Sequence, residues 1–342
     1  MDHAISREFR QLVEDLRLLA YDGEPGFFLI CEFYWRLVLK SKPLAPLLTR
    51  AQLAPLSRHP RLEAALKEAI LRDPSGANLP RWYQHFIGRK YRGATGKFFT
   101  PVPVAAAMAA LFPIPAQATL LDPACGAGTF LSAVKSQNTS TPAKYVYNDI
   151  EPALIELARL GSALNGMQEG ETDFYCENIF DPSTRLHATY KDKVDIILAN
   201  PPFSVYLTDV TFFSPIFSAG YHNSDAIFLD ACLHFLKPGG KMALLLPHSL
   251  VANANFRKFR IIVEKNWGLL GVIALPEGVF KLTAEATTRT DIVLLEKRTG
   301  PVGKRIFGYV QTVGVRTTGR SSETVSNDLD SLVRSNPLGI GL

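Results

Sequence analysis

Two short segments carry side chains able to do chemistry. The first, Leu121-Asp122-Pro123-Ala124-Cys125-Gly126-Ala127-Gly128-Thr129-Phe130, leads from an apolar run through a carboxylate and two glycines into a helical pattern. Glycines in such a turn let a ligand approach the backbone, and the start of the helix offers unpaired N–H groups. The spacing is not the G-x-G-x-x-G of a dinucleotide fold, and Asp122 would repel a pyrophosphate, so a ligand with a positive group suits the turn better. A plain strand-to-helix turn is the alternative. The second segment, Asn200-Pro201-Pro202-Phe203, follows the apolar run 194–199. Its prolines fix the backbone and remove two donors, which leaves the Asn200 side-chain oxygen and the Pro201 carbonyl as acceptors for an NH2 group. Two acceptors pulling on the hydrogens of an aromatic amine favour its pyramidal, nucleophilic form, and Phe203 offers a ring to stack on the amine's own.

Two further segments sit between them. Asp149, in Tyr147-Asn148-Asp149-Ile150-Glu151-Pro152, stands where doubly wound folds grip a ribose diol, or else caps the helix that follows. Asn178, in Glu177-Asn178-Ile179-Phe180, either hydrogen-bonds an adenine edge or fills a loop.

These segments need strand ends to hold them. Apolar runs predict strands over 118–121, 144–147, 173–175, 194–199, 241–246, 269–275 and 291–296, with helices over 130–135, 152–165, 225–236 and 256–266. The alternation implies a doubly wound, mostly parallel, seven-stranded α/β sheet, with an extra strand over 305–311 as an option. If strand order reverses between the first and fourth strands, Gly126 and Asn200 become neighbours across the ligand crevice. Before the sheet, Ile5, Phe9, Leu12, Val13, Leu16 and Leu19 recur at helical spacing, as do Leu62, Ala65, Leu66, Ala69 and Ile70. The domains expected are an all-helical one over 1–95, the sheet domain over 96–300 and an extension over 301–342.

At this point the chain resembles the S-adenosylmethionine-dependent DNA adenine N6-methyltransferases, and among them the modification subunit of type I restriction-modification systems. The segments above carry the likeness, together with Gly96-Lys97-Phe98-Phe99-Thr100-Pro101, Leu236-Lys237-Pro238-Gly239-Gly240 and Leu275-Pro276-Glu277-Gly278-Val279-Phe280, all in the family's order. The resemblance implies a Rossmann-like methyltransferase fold and methyl transfer to the N6 amine of adenine in DNA. By it Phe99, Thr100 and Pro101 border the methionine end of the cofactor. Asp122 and the loop with Ala124, Gly126, Gly128 and Thr129 hold it, Asp149 and Ile150 take the ribose, and Asn178 and Ile179 lie at the adenine. Asn200, with Pro201, Pro202 and Phe203, engages the target base, and Phe280 is a second aromatic for it. The family usually has Asp where this chain has Asn178.

The resemblance also implies DNA as a partner, a separate specificity subunit or a target-recognition domain absent from this chain, and an associated restriction subunit. The stretch from Val313 to Leu329 is similar to the connector that leads into such a domain in some relatives. Related Asn-Pro-Pro sites act on RNA or on protein amides, and a non-catalytic cofactor-binding subunit is a further alternative.

Composition agrees with a folded, water-soluble chain. Of 342 residues 47% are hydrophobic and 20% charged, and no apolar stretch reaches membrane-spanning length. The N-terminus has no uninterrupted apolar run of the signal-peptide kind, so a cytoplasmic protein is expected. Four cysteines without C-x-x-C spacing and seven histidines without ligand spacing argue against a metal site. The net charge of +5 lies wholly within residues 1–95, which hold 15 Lys and Arg against 10 Asp and Glu. Arg81, Arg89, Lys90 and Arg92 interleave there with Trp82, Tyr83, Phe86 and Tyr91, a mixture that suits either phosphate contacts or a solvated helix face. Finally, the aromatic loop 204–223 is either a lid or base-stacking surface, or buried against the N-terminal helices.

Overall fold

In the computed structural model, the residues described are 7–43, 47–80, 82–86, 99–137, 144–212, 214–280, 289–298, 300, 305–318 and 321–335. The chain opens with four helices, α1 (Arg7–Leu18), α2 (Gly23–Leu37), α3 (Arg50–Ser57) and α4 (Pro60–Leu71). Phe9, Leu12, Val13 and Leu16 form the buried stripe of α1, as their spacing predicts. Helix α2 is buried more fully, and its Tyr34 hydroxyl donates to the Asp73 backbone carbonyl at 2.9 Å. The cluster 89–92 of cations and the segment Gly96-Lys97-Phe98 lie outside the described residues.

The sheet that follows has eight strands, one more than the seven expected. They are β1 (Thr119–Asp122), β2 (Lys144–Asn148), β3 (Thr172–Tyr175), β4 (Val194–Ala199), β5 (Leu236–Pro247), β6 (Gly268–Ala274), β7 (Thr290–Glu296) and β8 (Ile306–Tyr309). Their order is 3-2-1-4-5-7-6-8, and only β7 runs against the rest. The optional strand over 305–311 is the eighth, paired in parallel with β6 at the edge. Two more strands, β9 (Val315–Thr318) and β10 (Ser321–Thr324), form a separate antiparallel pair.

Period-two alternation distributes each inner strand between two cores. Leu120, Ile196, Leu198, Ala243, Leu245, Ile292 and Leu294 face α5 (Val102–Ala109), α6 (Thr129–Gln137) and α13 (Asp328–Arg334). Leu121, Ile197, Met242, Leu244, Val293 and Leu295 face α8 (Arg185–Tyr190), α10 (Ser224–Phe235) and α12 (Arg257–Asn266), numbered after α7 (Pro152–Leu164) and α9 (Pro215–Ser218) and around α11 (His248–Ala252). Both faces are thus covered, as a largely parallel sheet requires.

A third apolar core runs from α1, α2 and α4 into α7, where Ala153, Leu154, Leu157 and Leu160 are buried against the N-terminal helices. The Trp35 indole donates to Glu156 of α7 at 3.0 Å across this contact. Residues 82–86 are helical and press on α2 at Gly26, which has no room for a side chain. A Cβ there would lie 2.5 Å from the Tyr21 carbonyl oxygen and closer still to the Phe86 ring.

The Gly26 contact therefore sets how near residues 82–86 come to α2. We expect Gly26→Ala to cost about 2 to 3 kcal/mol by overpacking, read as a shift of the urea midpoint without a change in slope. A midpoint unchanged from the parent would show that the two segments separate freely.

Candidate active site

Strand order reverses at β1, which has β2 on one side and β4 on the other. The carboxyl ends of β1, β2, β3 and β4 accordingly open into one cleft of about 420 Å³, within the usual range for small-molecule sites.

One side chain ties three of those ends together. Asn148, 1% exposed at the end of β2, donates through Nδ2 to the carbonyls of Pro123 and Glu177, each at 3.0 Å. Its Oδ1 accepts from the Glu177 N–H at 3.1 Å. The Cys125 N–H donates in turn to the Asn148 carbonyl at 2.8 Å. Asp149 completes the joint, because Oδ2 accepts from the Gly126 N–H at 3.0 Å and Oδ1 from the Glu151 N–H at 3.1 Å. Gly126 and Gly128 both have positive φ, as the turn into α6 demands. At Gly128 a Cβ would stand 3.2 Å from the Tyr147 ring and 3.3 Å from Ala158, so close helix packing also requires the glycine.

At the end of β4, Asn200 Nδ2 donates to the Thr100 hydroxyl at 3.2 Å. The Pro202 carbonyl accepts from the Ser224 hydroxyl at 2.7 Å, and the Ser204 N–H donates to Asp225 at 3.2 Å. Burial pushes the Asp225 carboxyl up from its ordinary value, opposed by the backbone N–H groups of Ser204 and Ala226. Phe203 is 6% exposed and meets Phe280 edge to face, with centroids 6.3 Å apart.

Of the residues singled out in the sequence, Phe99, Ala124, Gly126, Asp149, Ile150, Asn178, Ile179, Asn200, Pro201 and Pro202 line the cleft. Thr100, Pro101, Asp122, Gly128, Thr129 and Phe203 are not among its lining residues. The Asn178 oxygen accepts from the Phe180 N–H at 3.0 Å, an arrangement that shapes the loop, and the residue is exposed. Asp122 is fully buried beneath the loop: one oxygen accepts from the Ala124 N–H at 3.3 Å and the other has no hydrogen-bond partner. Burial holds its carboxyl well above the ordinary range, and the Asp149 charge adds to the effect.

Sequence reasoning missed Tyr83 and Gln84 as walls of the cleft. The Tyr83 hydroxyl donates to Glu151 at 2.9 Å, and its ring meets that of Phe99 at 5.7 Å. No local pattern could have placed them, because the contact is made between elements far apart in the chain. Among the described residues, the charged side chains that line the cleft are Asp149, Glu151 and Glu177, all acidic. Among the described residues no group of three or more His, Cys, Asp or Glu could hold a metal ion, and no helix is long and apolar enough to cross a membrane.

The aromatic loop after Phe203 divides. Phe212, Phe217 and Tyr221 pack into the core under α10 and α12, not against the N-terminal helices, whereas Tyr206 is 68% exposed. Phe213 lies outside the described residues.

Comparison with known proteins places the chain in a family and shows its fold. Residues 80–330 match the family model described as N-6 DNA Methylase. The type II methyltransferase M.AccI of Acinetobacter calcoaceticus is 27% identical over 229 residues, covering 64% of this chain and 39% of that protein. The chain spans under half the length of the first curated relatives it matches. Among solved structures, a class I S-adenosylmethionine-dependent methyltransferase described as putative, from Listeria monocytogenes, superposes with a TM-score of 0.63 at 18% identity, covering 92% of this chain and 91% of that one. A type I restriction-modification methyltransferase subunit from Streptococcus thermophilus gives 0.61 at 23%, covering 83% and 64%. These two likenesses are of fold.

The unpartnered Asp122 oxygen is a stability cost. Because its folded-state pKa is raised above the unfolded one, the penalty is absent below the unfolded value and grows as pH rises toward the folded value. We therefore expect Asp122→Asn to stabilise the ligand-free protein by about 1 to 3 kcal/mol near pH 7, and by less near pH 4. Denaturant titration at the two pH values checks this, and a variant less stable than the parent near pH 7 contradicts it.

Proposed function

Because the chain belongs to the N-6 DNA methylase family, we propose that it transfers a methyl group from S-adenosylmethionine to the N6 amine of adenine in DNA. The observation that carries this reading is the placement of Asn200. Its amide is fixed by Thr100 at the end of β4, in the wall of the same cleft that Gly126 and Asp149 close from the side of β1.

The cleft suits the cofactor. Among the described residues its charged lining is acidic, which favours a cationic nucleoside and opposes a dinucleotide phosphate. Ile150, Leu154, Ile179 and Phe180 provide an apolar wall of the kind an adenine needs. Asp149 and Glu151 would take the ribose hydroxyls, and Asn178 the adenine edge. Asp122, fully buried under the glycine loop, would act on the methionine end of the cofactor through that loop, by accepting from the Ala124 N–H. When bound, S-adenosylmethionine supplies a methyl group activated by its sulfonium.

Asn200 and Pro201 act on the acceptor. The Asn200 Nδ2 donates to the Thr100 hydroxyl, which fixes the amide, and the amide oxygen is the acceptor proposed for the incoming amine. The Pro201 carbonyl is the second acceptor, held in direction by the Ser224 hydroxyl on the next carbonyl of the motif. Together they draw the amine toward the pyramidal form, a demand made only in the transition state. The N6 amine is paired in duplex DNA, so the base must leave the stack to arrive here. Phe203, buried edge to face on Phe280, would have to turn toward the cleft to stack on it.

Specific sites are read by side chains at base edges, and the proposal includes a partner that does this. A specificity subunit of the type I kind is the candidate, and a solved structural relative is itself described as a type I restriction-modification assembly.

Purified chain given labelled cofactor with duplex DNA, ribosomal RNA and protein side by side should label DNA, in adenine N6. Asn200→Ala should lower that labelling by about 100-fold or more, with cofactor affinity within a few-fold of the parent. Asp149→Ala should do the reverse, weakening cofactor binding. Near-normal turnover in Asn200→Ala would sink the mechanism, and label confined to RNA or protein would sink the substrate.

Thr100→Val should share part of the Asn200→Ala defect, because it keeps the shape and removes the hydroxyl that holds the amide. Thr100→Ser should restore turnover. If both variants turn over like the parent, Asn200 is held by other means.

A further inference from the structure

The segment beyond Phe203 makes a turn that few residues adopt. Ser204 has φ +57, in the left-handed region, and its N–H is fixed on the buried Asp225. The turn brings Val205 and Leu207 to the wall of the cleft, with Tyr206 between them pointing outward. At 68% exposure, Tyr206 leaves most of its surface in water beside two residues that line the site.

Its position is nevertheless fixed. Tyr206 pairs with Asn223 through an antiparallel bridge, and the Leu207 N–H donates to the His222 carbonyl at 2.8 Å. The Tyr206 ring stacks on the His222 imidazole with centroids 5.1 Å apart and planes 22° apart. His222 in turn stands on the Phe217 ring at 4.6 Å, edge to face. Three rings thus form a preassembled column from the core to the rim, and its top ring keeps one side open. A flat, immobilised aromatic surface at the mouth of a cleft suits another flat aromatic group, and stacking of this kind tolerates any base because every base has a π-face.

We propose that the Tyr206–His222 pair is a nucleobase-stacking platform for DNA. It covers the base facing the vacancy left when the target adenine enters the cleft. This rests on the reading of the chain as a DNA adenine methyltransferase. Extrusion leaves a hole in the duplex and an unpaired opposite base, both unfavourable in water. Tyr206, six residues beyond Asn200, stands outside the cleft next to the entrance through which that adenine passes.

The test compares the full chain and its Tyr206→Ala variant on two short DNA duplexes of one mixed sequence, fully paired and with a single abasic position. The abasic duplex holds the vacancy open, so binding measures the platform without the cost of extrusion. The parent should prefer the abasic duplex by about tenfold, the scale of one base–aromatic stack. Tyr206→Ala should lose that preference while keeping the parent's thermal midpoint and cofactor affinity, and Tyr206→Trp should retain it. His222→Ala should reduce it in part by loosening the column. A parent that methylates DNA adenine yet shows no preference, or a Tyr206→Ala variant that keeps it, overturns the platform alone. A parent that neither binds nor methylates DNA overturns it together with the reading beneath it, and a Tyr206→Ala loss confined to protein association makes the ring a subunit contact.

Discussion

The site depends on the chain turning back after β3 to lay β4 on the open side of β1. At that reversal the loops leaving β1 and β4 run to opposite sides, so neither covers the gap between the strand ends. A crevice there needs no special residue, but a crevice of defined shape does. Asn148 supplies it by tying the backbone beyond β1 to the backbone beyond β3, with both amide hydrogens and its oxygen engaged and almost no exposure to water. A buried amide satisfied on every side fixes the distance between two loops more tightly than apolar contact can. Asp149 extends the joint to Gly126, so the residue proposed to take a ribose also sets the curvature of the glycine turn.

Carboxylates do two kinds of work around this crevice. Asp225 lies just behind the Asn200–Phe203 segment and spends its oxygens on backbone N–H groups, including that of Ser204. It is a fastening, and the amide donors offset much of the cost of burying it. Asp122 is buried as deeply with one oxygen unmatched. In the proposed reading this second carboxylate, set beneath the glycine turn, serves the cofactor site rather than a backbone joint. The N-terminal helices join the same economy. Through Gly26 and the core they share with α7, they bring Tyr83 to Glu151, so the cleft has a wall that the sheet alone would not give it.

Much of the sheet was legible in the sequence because its strands are short apolar runs bounded by turn residues and buried on both faces. The run 194–199 coincides with β4, and the other six predicted strands each overlap an observed one. Helix α5 escaped because Val104, Ala105, Ala107 and Met108 are buried almost all round, which erases the period a helix normally writes into its sequence. Strand β8 was only an option because an edge strand alternates weakly, with Phe307 and Tyr309 both exposed. At the site, the motifs at the ends of β1, β2 and β4 were readable because the chemistry sits at strand ends. The Thr100–Asn200 hydrogen bond and the Tyr83 wall were not, since each joins residues far apart in the chain and leaves no local trace. Phe203, expected to stack on the target base, is 6% exposed and meets Phe280 edge to face, a contact that the sequence spacing of the two does not announce.

The central claim is that one crevice holds the methyl donor and presents Asn200 to the amine. A crystal structure of the chain with S-adenosylhomocysteine tests it most directly. The adenosine is expected against Ile150 and Ile179, with its ribose at Asp149 and the sulfur turned toward Asn200 and Pro201. A ligand seated elsewhere, or lying in the crevice with its sulfur directed away from Asn200, would contradict the account.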